Sequence, residues 1–81
     1  MAGTYHLSIL TPAGEAFAGE VSALVAPGVM GSFGVLKDHA PMLAAINPGV
    51  VRVTTETETR HFAVAGGTAE ISHNQVLLLM D

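Results

Sequence analysis

Hydrophobic and polar residues alternate along most of this chain with a period of two, which is typical of half-buried β-strands. In the first such run Tyr5, Leu7 and Ile9 alternate with polar positions. No longer segment carries the apolar stripe of an amphipathic helix. The pattern therefore predicts an all-β sandwich or barrel. Strands are predicted at residues 5–9, 21–25, 33–36, 42–46, 50–55, 59–64, 69–72 and 76–80.

Turn-forming residues separate these runs at short intervals. Thr11–Gly14 combines proline with glycine, and Asn47–Gly49 is a strong turn signal. Gly66 and Gly67 predict a bend or bulge, and His73 with Asn74 predicts a turn between the last two strands. With no linker or repeat in sight, residues 1–81 are expected to form a single β-domain without a C-terminal helical domain.

Two predicted strands are apolar on both faces. Leu77 and Leu79 point opposite to their apolar neighbours within 76–80, and 21–26 is apolar throughout except for Ser22. The outer face of a two-layer sandwich normally meets water and is polar. Either loops of the same chain cover these strands, or their outer faces bind another protein. Residues 31–43 are the expected source of a second contact surface.

Composition narrows the choice of partner. The chain is 49% hydrophobic, 12% charged and free of cysteine, with a net charge of −4. Nucleic acid is not an expected partner, because phosphate backbones attract clustered Lys and Arg. The absence of disulfides favours a reducing intracellular location. The longest apolar run, 76–80, is too short to span a bilayer, and no basic residue opens a leader peptide, so no membrane insertion is expected.

No catalytic, cofactor or metal residues are expected. The four histidines (His6, His39, His61 and His73) lack the spacing of a metal site, although His61 and His73 could face each other across a sheet. No serine lies in a Gly-x-Ser-x-Gly elbow. The glycines of the segment GVMGSFG, 28–34, do not form a dinucleotide fingerprint, and no helix follows them to bind phosphate.

A set of motifs in chain order resembles one known family. The segment Thr4–Leu7 is similar to a common family opening. The main signature is Gly31-x-x-Gly34-Val35-Leu36-x-x-His39-Ala40-Pro41-x-Leu43, followed by Asn47-Pro48-Gly49-Val50-Val51-Arg52 and Ala65-Gly66-Gly67-x-x-Glu70-Ile71. Together, over nearly all 81 residues, these resemble the N-terminal β-sandwich domain of the epsilon subunit of F-type ATP synthase, called delta in mitochondria.

The resemblance implies a fold and a role. The fold would be a small antiparallel β-sandwich or flattened barrel of about ten short strands. The domain would be a non-catalytic part of the central stalk, the rotor, which docks on the gamma subunit and on the c-ring and couples rotation to ATP synthesis. It would need no cofactor, be a monomer when isolated, and lie peripherally on the cytoplasmic side of an energy-transducing membrane, the bacterial inner membrane.

Individual positions follow from the resemblance and from the two-faced strand. The family's histidine lies near the gamma contact, and the 28–32 loop approaches the c-ring. His39 could instead be a loop histidine that caps backbone groups. The residues expected to contact partners are Met30, Ser32, His39, Pro41, Met42, Leu43, Leu77 and Leu79.

The chain also departs from the family pattern. Met30 stands where the family often has an acidic residue, which favours an apolar contact there. Lys37 and Asp38 replace a usual Pro-Gly, so a less constrained turn is expected. Family members commonly continue into a two-helix hairpin that can slow ATP hydrolysis, and no such segment follows here.

Two other functions fit parts of the sequence. A lipoyl- or biotinyl-type carrier domain would also be small, acidic and all-β, with Lys37, the only lysine, as its attachment site. The residues around Lys37 differ from the hairpin tip of such domains. A ligand-binding β-barrel or small esterase-like module would need converging polar groups, and the polar residues here are scattered.

Overall fold

A computed structural model describes residues 3–81, so the first two residues of the predicted domain lie outside it. This part of the chain folds into nine strands and contains no helix, and so no helix long and apolar enough to cross a membrane. The strands are β1 (Tyr5–Thr11), β2 (Gly14–Val21), β3 (Ala23–Gly28), β4 (Gly31–Val35), β5 (Met42–Ile46), β6 (Gly49–Thr54), β7 (Thr59–Val64), β8 (Gly67–Ser72) and β9 (Gln75–Met80).

The strands form one curled sheet in the order β2-β1-β9-β8-β5-β3-β6-β7, with β4 on the free edge of β3. Between β5 and β3 the pairing is reduced to Gly28 opposite Ile46, so the sheet bends there into two layers. The all-β sandwich prediction is confirmed. Most pairs are antiparallel as expected, but β1 and β9 run parallel, so the sheet is mixed.

Alternate side chains of both layers pack into one core. Its largest fully buried members include Tyr5, Leu7 and Ile9 from β1, Leu24 from β3 and Leu78 from β9. Fully burying a side chain of this size contributes about 1.5–3 kcal/mol. This shared core explains the period of two in the sequence.

The expected strands lie within a few residues of those observed, except for β2. The sequence pattern predicted no separate strand there, because 14–20 is rich in glycine, alanine and glutamate, which have low β-propensity. As an edge strand, β2 pairs only with β1 and exposes most of its side chains. Backbone pairing therefore forms this strand where the side chains give little signal.

The two edge strands, β2 and β7, approach each other through side chains. The rings of Phe17 and Phe62 pack edge-to-face with their centroids 5.9 Å apart. The Arg60 guanidinium lies 5.4 Å from the centroid of Phe17 and 5.0 Å from that of Phe62. Cation–π contacts of this kind contribute about 0.5–1 kcal/mol at exposed sites. The sandwich is thus closed at this seam by packing in place of a backbone ladder.

Tyr5 joins the two layers by the one buried side-chain hydrogen bond that the described residues show. Its hydroxyl donates to the carbonyl oxygen of Val35 over 2.8 Å, and its side chain is 2% exposed. Burial raises the pKa of this phenol, so it stays a neutral donor. The bond fixes the end of β4, where the 36–41 loop begins.

We expect Tyr5→Phe to lower the free energy of unfolding by about 1–3 kcal/mol, because the Val35 carbonyl loses its donor in a buried place. The melting temperature should fall by about 4–8 °C for each kcal/mol. Urea unfolding followed by circular dichroism measures the free energy of unfolding, and a thermal scan measures the melting temperature. Phe62→Tyr, which adds a hydroxyl at a half-exposed ring, is the control. An unchanged midpoint for Tyr5→Phe would contradict the role given to this bond.

Candidate partner-binding surface

The outward side chains of β1, β9, β8 and β5 form a surface that we call the leucine face, defined by Leu43, Leu77 and Leu79. The register places Leu43 opposite Glu70, Glu70 opposite Leu77, and Leu77 opposite Ser8. These residues therefore form one row across four strands. In the next row Leu79 lies between Leu10 and Thr68.

Exposure separates the two sides of β9 cleanly. Val76, Leu78 and Met80 are buried in the core, whereas Leu79 is 47% exposed and Leu77 is half-buried. Leu43 is 71% exposed. The alternative that loops of the same chain cover this strand is therefore wrong for Leu79. The segment 21–26 differs, since its outward residues Ala23 and Val25 are half-buried.

The β3–β4 hairpin adds a second apolar feature next to the leucine face. Met30 at its tip is 99% exposed and its neighbour Val29 is 55% exposed. The tip and β5 line a groove of about 310 Å³, to which Met30, Ser32, Met42 and Leu43 all contribute. Four predicted contact residues thus meet in one place. Leu43 belongs to both the groove and the leucine face, so the two surfaces are continuous.

Glycine is required at the base of this hairpin. A Cβ on Gly28 would lie 2.6 Å from the carbonyl oxygen of Gly31, and Gly31 itself has a φ of 118°. Both values exclude an ordinary side chain without rearrangement. The glycines of the 28–34 segment therefore serve the tight hairpin that exposes Met30, as the sequence indicated.

His39 and Pro41 lie elsewhere. Together with Asp38, Ala40, His73 and Asn74 they line a separate depression of about 320 Å³, beside the β8–β9 turn. The ring of His39 is half-buried, and its Nδ1–H donates to the carbonyl oxygen of Ala40 over 2.7 Å. This bond matches the backbone-capping alternative for His39. The structure does not bring these two residues into the groove of Met30.

A reciprocal pair of hydrogen bonds holds the 36–41 loop to the β8–β9 turn. The backbone N–H of Asp38 donates to Asn74 Oδ1 over 2.6 Å, and Asn74 Nδ2–H donates to Asp38 Oδ1 over 2.9 Å. Asp38 and Asn74 have φ values of 65° and 59°, which these residue types tolerate. The expectation of a less constrained turn at Lys37-Asp38 is therefore wrong, because the pairing with Asn74 fixes it.

The electrostatics of this loop are local. The hydrogen bond from Asn74, followed by the charge of Lys37, lowers the pKa of Asp38. Lys37 Nζ lies 3.6 Å from Asp38 Oδ2, and the lysine stem packs beside Gly3. Lys37 is thus an ion-pairing loop residue packed against the start of the described chain.

The histidines considered for a metal site lie apart from one another. His61 lies opposite Arg52 in the β6–β7 pair and His73 in the β8–β9 turn, so they do not face each other. Within residues 3–81 no three His, Cys, Asp or Glu side chains lie close enough together to hold a metal ion.

One arrangement that the sequence did not suggest resembles a catalytic triad. His6 Nε2 lies 3.2 Å from Ser8 Oγ, and His6 Nδ1 lies 3.5 Å from Glu20 Oε2. Acyl transfer also requires backbone N–H groups free to bind an oxyanion. Ser8 lies in β1, which is paired on both edges, with β2 and with β9. The geometry is that of polar neighbours on an exposed sheet face.

Glu70 also lies on this surface, although the sequence pattern did not single it out. Strand alternation indicates only that it points outward. Its position between Leu43 and Leu77 depends on which strands flank β8, and that is set by the tertiary fold.

The sequence and the fold of this chain are similar to those of known ATP synthase chains. The sequence model of the family described as "ATP synthase, Delta/Epsilon chain, beta-sandwich domain" matches residues 4–81. The ATP synthase epsilon chain of Rhodopseudomonas palustris (strain BisA53) is 41% identical over 78 residues. That alignment covers 96% of this chain and 58% of the relative, so the chain spans well under two thirds of its relative's length.

Two solved structures share the fold. A chain in the cryo-EM structure of the Euglena gracilis mitochondrial ATP synthase, OSCP/F1/c-ring, superposes with a TM-score of 0.89 at 20% identity, over 95% of this chain and 50% of that one. A chain in the Tetrahymena thermophila mitochondrial ATP synthase structure, central stalk/c-ring, gives 0.79 at 17% identity, over 93% and 61%.

We expect Asp38→Asn to lower the melting temperature at pH 7, because the variant keeps the turn and an acceptor oxygen but loses the charge that Asn74 and Lys37 favour. A folded-state pKa below the unfolded value contributes stability that is present above the unfolded pKa and lost as pH falls through the folded pKa. The difference between wild type and variant should therefore shrink below about pH 4. Melting curves across pH measure it, with Glu56→Gln as the control. A difference independent of pH would contradict this account.

Proposed function

We propose a rotor function for this chain, which belongs to the delta/epsilon family of ATP synthase chains and matches its beta-sandwich domain. It acts as a non-catalytic docking unit of the central stalk, binding the gamma subunit and the c-ring so that rotation is coupled to ATP synthesis. This family membership replaces the carrier-domain alternative built on Lys37. The unit is a monomer when isolated and is peripheral to the cytoplasmic face of an energy-transducing membrane.

The observation that carries the proposal is the continuity of the leucine face with the Met30 groove. Fully burying the three leucines that define the face contributes about 4.5–9 kcal/mol, at about 1.5–3 kcal/mol each. Association itself costs about 4–15 kcal/mol. The leucine face alone is therefore marginal for a stable complex. The face together with the groove and hairpin tip supplies the additional area.

The two parts of the surface suit different partners. The leucine face is broad and lies on hydrogen-bonded strands, which fits it to a packed contact with the gamma subunit. We assign His39 and Pro41, in their separate depression, to the same partner. Met30 lies at the narrow tip of the β3–β4 hairpin and is 99% exposed, and Ser32 is exposed at the start of β4. This arrangement fits a small contact with the loops of the c-ring. Methionine adapts to irregular surfaces because it is unbranched and flexible.

A non-catalytic role without a cofactor agrees with the chemistry of the chain. The triad-like Ser8 and His6 lie on β1, which is paired on both edges, with Glu20 beside them on β2, and Lys37 is engaged with Asp38. The exposed apolar area is the feature that a partner would use. Stalk coupling requires tight and oriented contacts, which such an area can supply.

Leu79→Glu should weaken binding to the purified gamma subunit by about 100-fold or more, because the complex would bury a carboxylate without a counter-charge. The free domain should stay folded, since Leu79 is 47% exposed. Calorimetry or surface plasmon resonance measures binding, and circular dichroism checks the fold.

Val50→Glu is the matched control, because Val50 is similarly exposed at 53% but lies on β6 in the other layer. It should bind as wild type does. If Leu79→Glu bound with unchanged affinity, or if both variants lost binding equally, the leucine face would not be the gamma contact.

A single cysteine at Met30 tests the c-ring contact, since residues 1–81 contain none. In the assembled synthase, Met30→Cys treated with a short thiol-to-amine cross-linker should give a product with the c subunit. Thr57→Cys, in the exposed β6–β7 turn, should not. An assembled and active complex in which Met30→Cys gives no such product would contradict the assignment of the hairpin tip.

A further inference from the structure

We infer that the leucine face selects a partner that presents an arginine to Glu70, so that this carboxylate is the charge determinant of the docking surface. The inference rests on the proposed function and extends it, because it states the chemistry of the partner residue that must lie over the middle of the face.

Glu70 lies between two leucines of the leucine face and borders a polar groove toward the β8–β9 turn. On β8 it is directly opposite Leu43 on one side and Leu77 on the other. Directly opposed residues on one face of a sheet have Cβ atoms about 4.5–5.5 Å apart. A partner that covers the two leucines therefore also covers the carboxylate and removes its water.

No lysine or arginine among the described residues is placed to compensate that charge. Lys37 pairs with Asp38, and the imidazole of His6, which lines the same groove, is directed to Glu20 and Ser8. Arg60 stacks on the rings of the β2–β7 seam, and Arg52 lies on β6 in the other layer. Burying a charge without a partner costs several kcal/mol, so the compensating cation must come from the bound protein.

The surroundings of Glu70 favour a guanidinium over an ammonium. Glu70 lines a groove of about 270 Å³ whose other polar members are His6, Ser8, Ser72 and Gln75. Two serine hydroxyl oxygens and the amide oxygen of Gln75 can accept hydrogen bonds beside the carboxylate. Arginine has five N–H donors in a planar fork and binds a carboxylate through two parallel bonds, whereas lysine has three donors at one point. The groove therefore offers the several acceptors that an arginine needs.

The test measures binding of the gamma subunit to wild type, Glu70→Gln and Glu70→Leu. We expect Glu70→Gln to weaken the complex about 10- to 100-fold, mainly through faster dissociation, because losing one partner of a buried charge pair acts on the dissociation rate. We expect Glu70→Leu to weaken it at least as much, because it leaves the arginine buried and unpaired. Glu56→Gln, which removes the same charge from an exposed turn, should leave the dissociation rate unchanged.

The opposite result has a clear meaning. If Glu70 only keeps the free face soluble, Glu70→Leu extends the apolar area and tightens binding, and the inference is overturned. This outcome is separate from failure of the proposed function, which Leu79→Glu decides in the same assay. If binding is lost with Leu79→Glu but unchanged with Glu70→Gln, the leucine face is still the docking surface, but the arginine contact is ruled out.

Chemical modification identifies the partner residue. Phenylglyoxal reacts with arginines, and mass spectrometry locates the modified positions. We expect one arginine of the gamma subunit to be protected in the complex with wild type and to react in the complex with Glu70→Gln, assembled at saturating concentration. A lysine protected from acetylation instead, with every arginine equally reactive in both complexes, would overturn the choice of arginine.

Discussion

The packing of alternate side chains from both layers into one core is the constraint on which the other features of this domain depend. Each strand packs the side chains of one face into that core, so the side chains of its other face meet solvent or a partner. On β9 the inner residues Val76 and Leu78 are buried while Leu79 remains exposed. An apolar residue at an outward position cannot exchange with the core, because a shift of one residue would turn the whole strand over. The leucine face is therefore a fixed property of the fold.

Local patterns predicted the strands well where β-branched and aromatic residues alternate with polar ones. The strands β5 and β7 begin and end at the residues expected, and the turns at Gly66 and at His73 follow from local residue preferences. The strand β2 was missed because backbone pairing with β1, more than its own side chains, holds it in place. The parallel pairing of β1 and β9 joins the two ends of the described chain and carries no local signal.

The predicted contact residues also divide into those that local sequence indicates and those that only the tertiary fold relates. Alternation placed Leu77 and Leu79 on the face opposite Val76 and Leu78, and the family resemblance pointed to the loop that contains Met30. The contact between the hairpin and β5, the fixing of Asp38 by Asn74, and the central position of Glu70 arise between segments far apart in sequence. Their spacing in the chain gives no information about these distances, so only the folded structure relates them.

The parallel pairing of β1 with β9 has a mechanical consequence. Because the two strands run in the same direction, the start of β1 and the end of β9 lie at opposite ends of their shared ladder, from His6 opposite Gln75 to Leu10 opposite Leu79. A force that pulls these two ends apart acts along the ladder and loads all its hydrogen bonds at once, instead of opening them one after another. Strands arranged in this way resist extension in shear, which would suit the stalk role proposed for this domain.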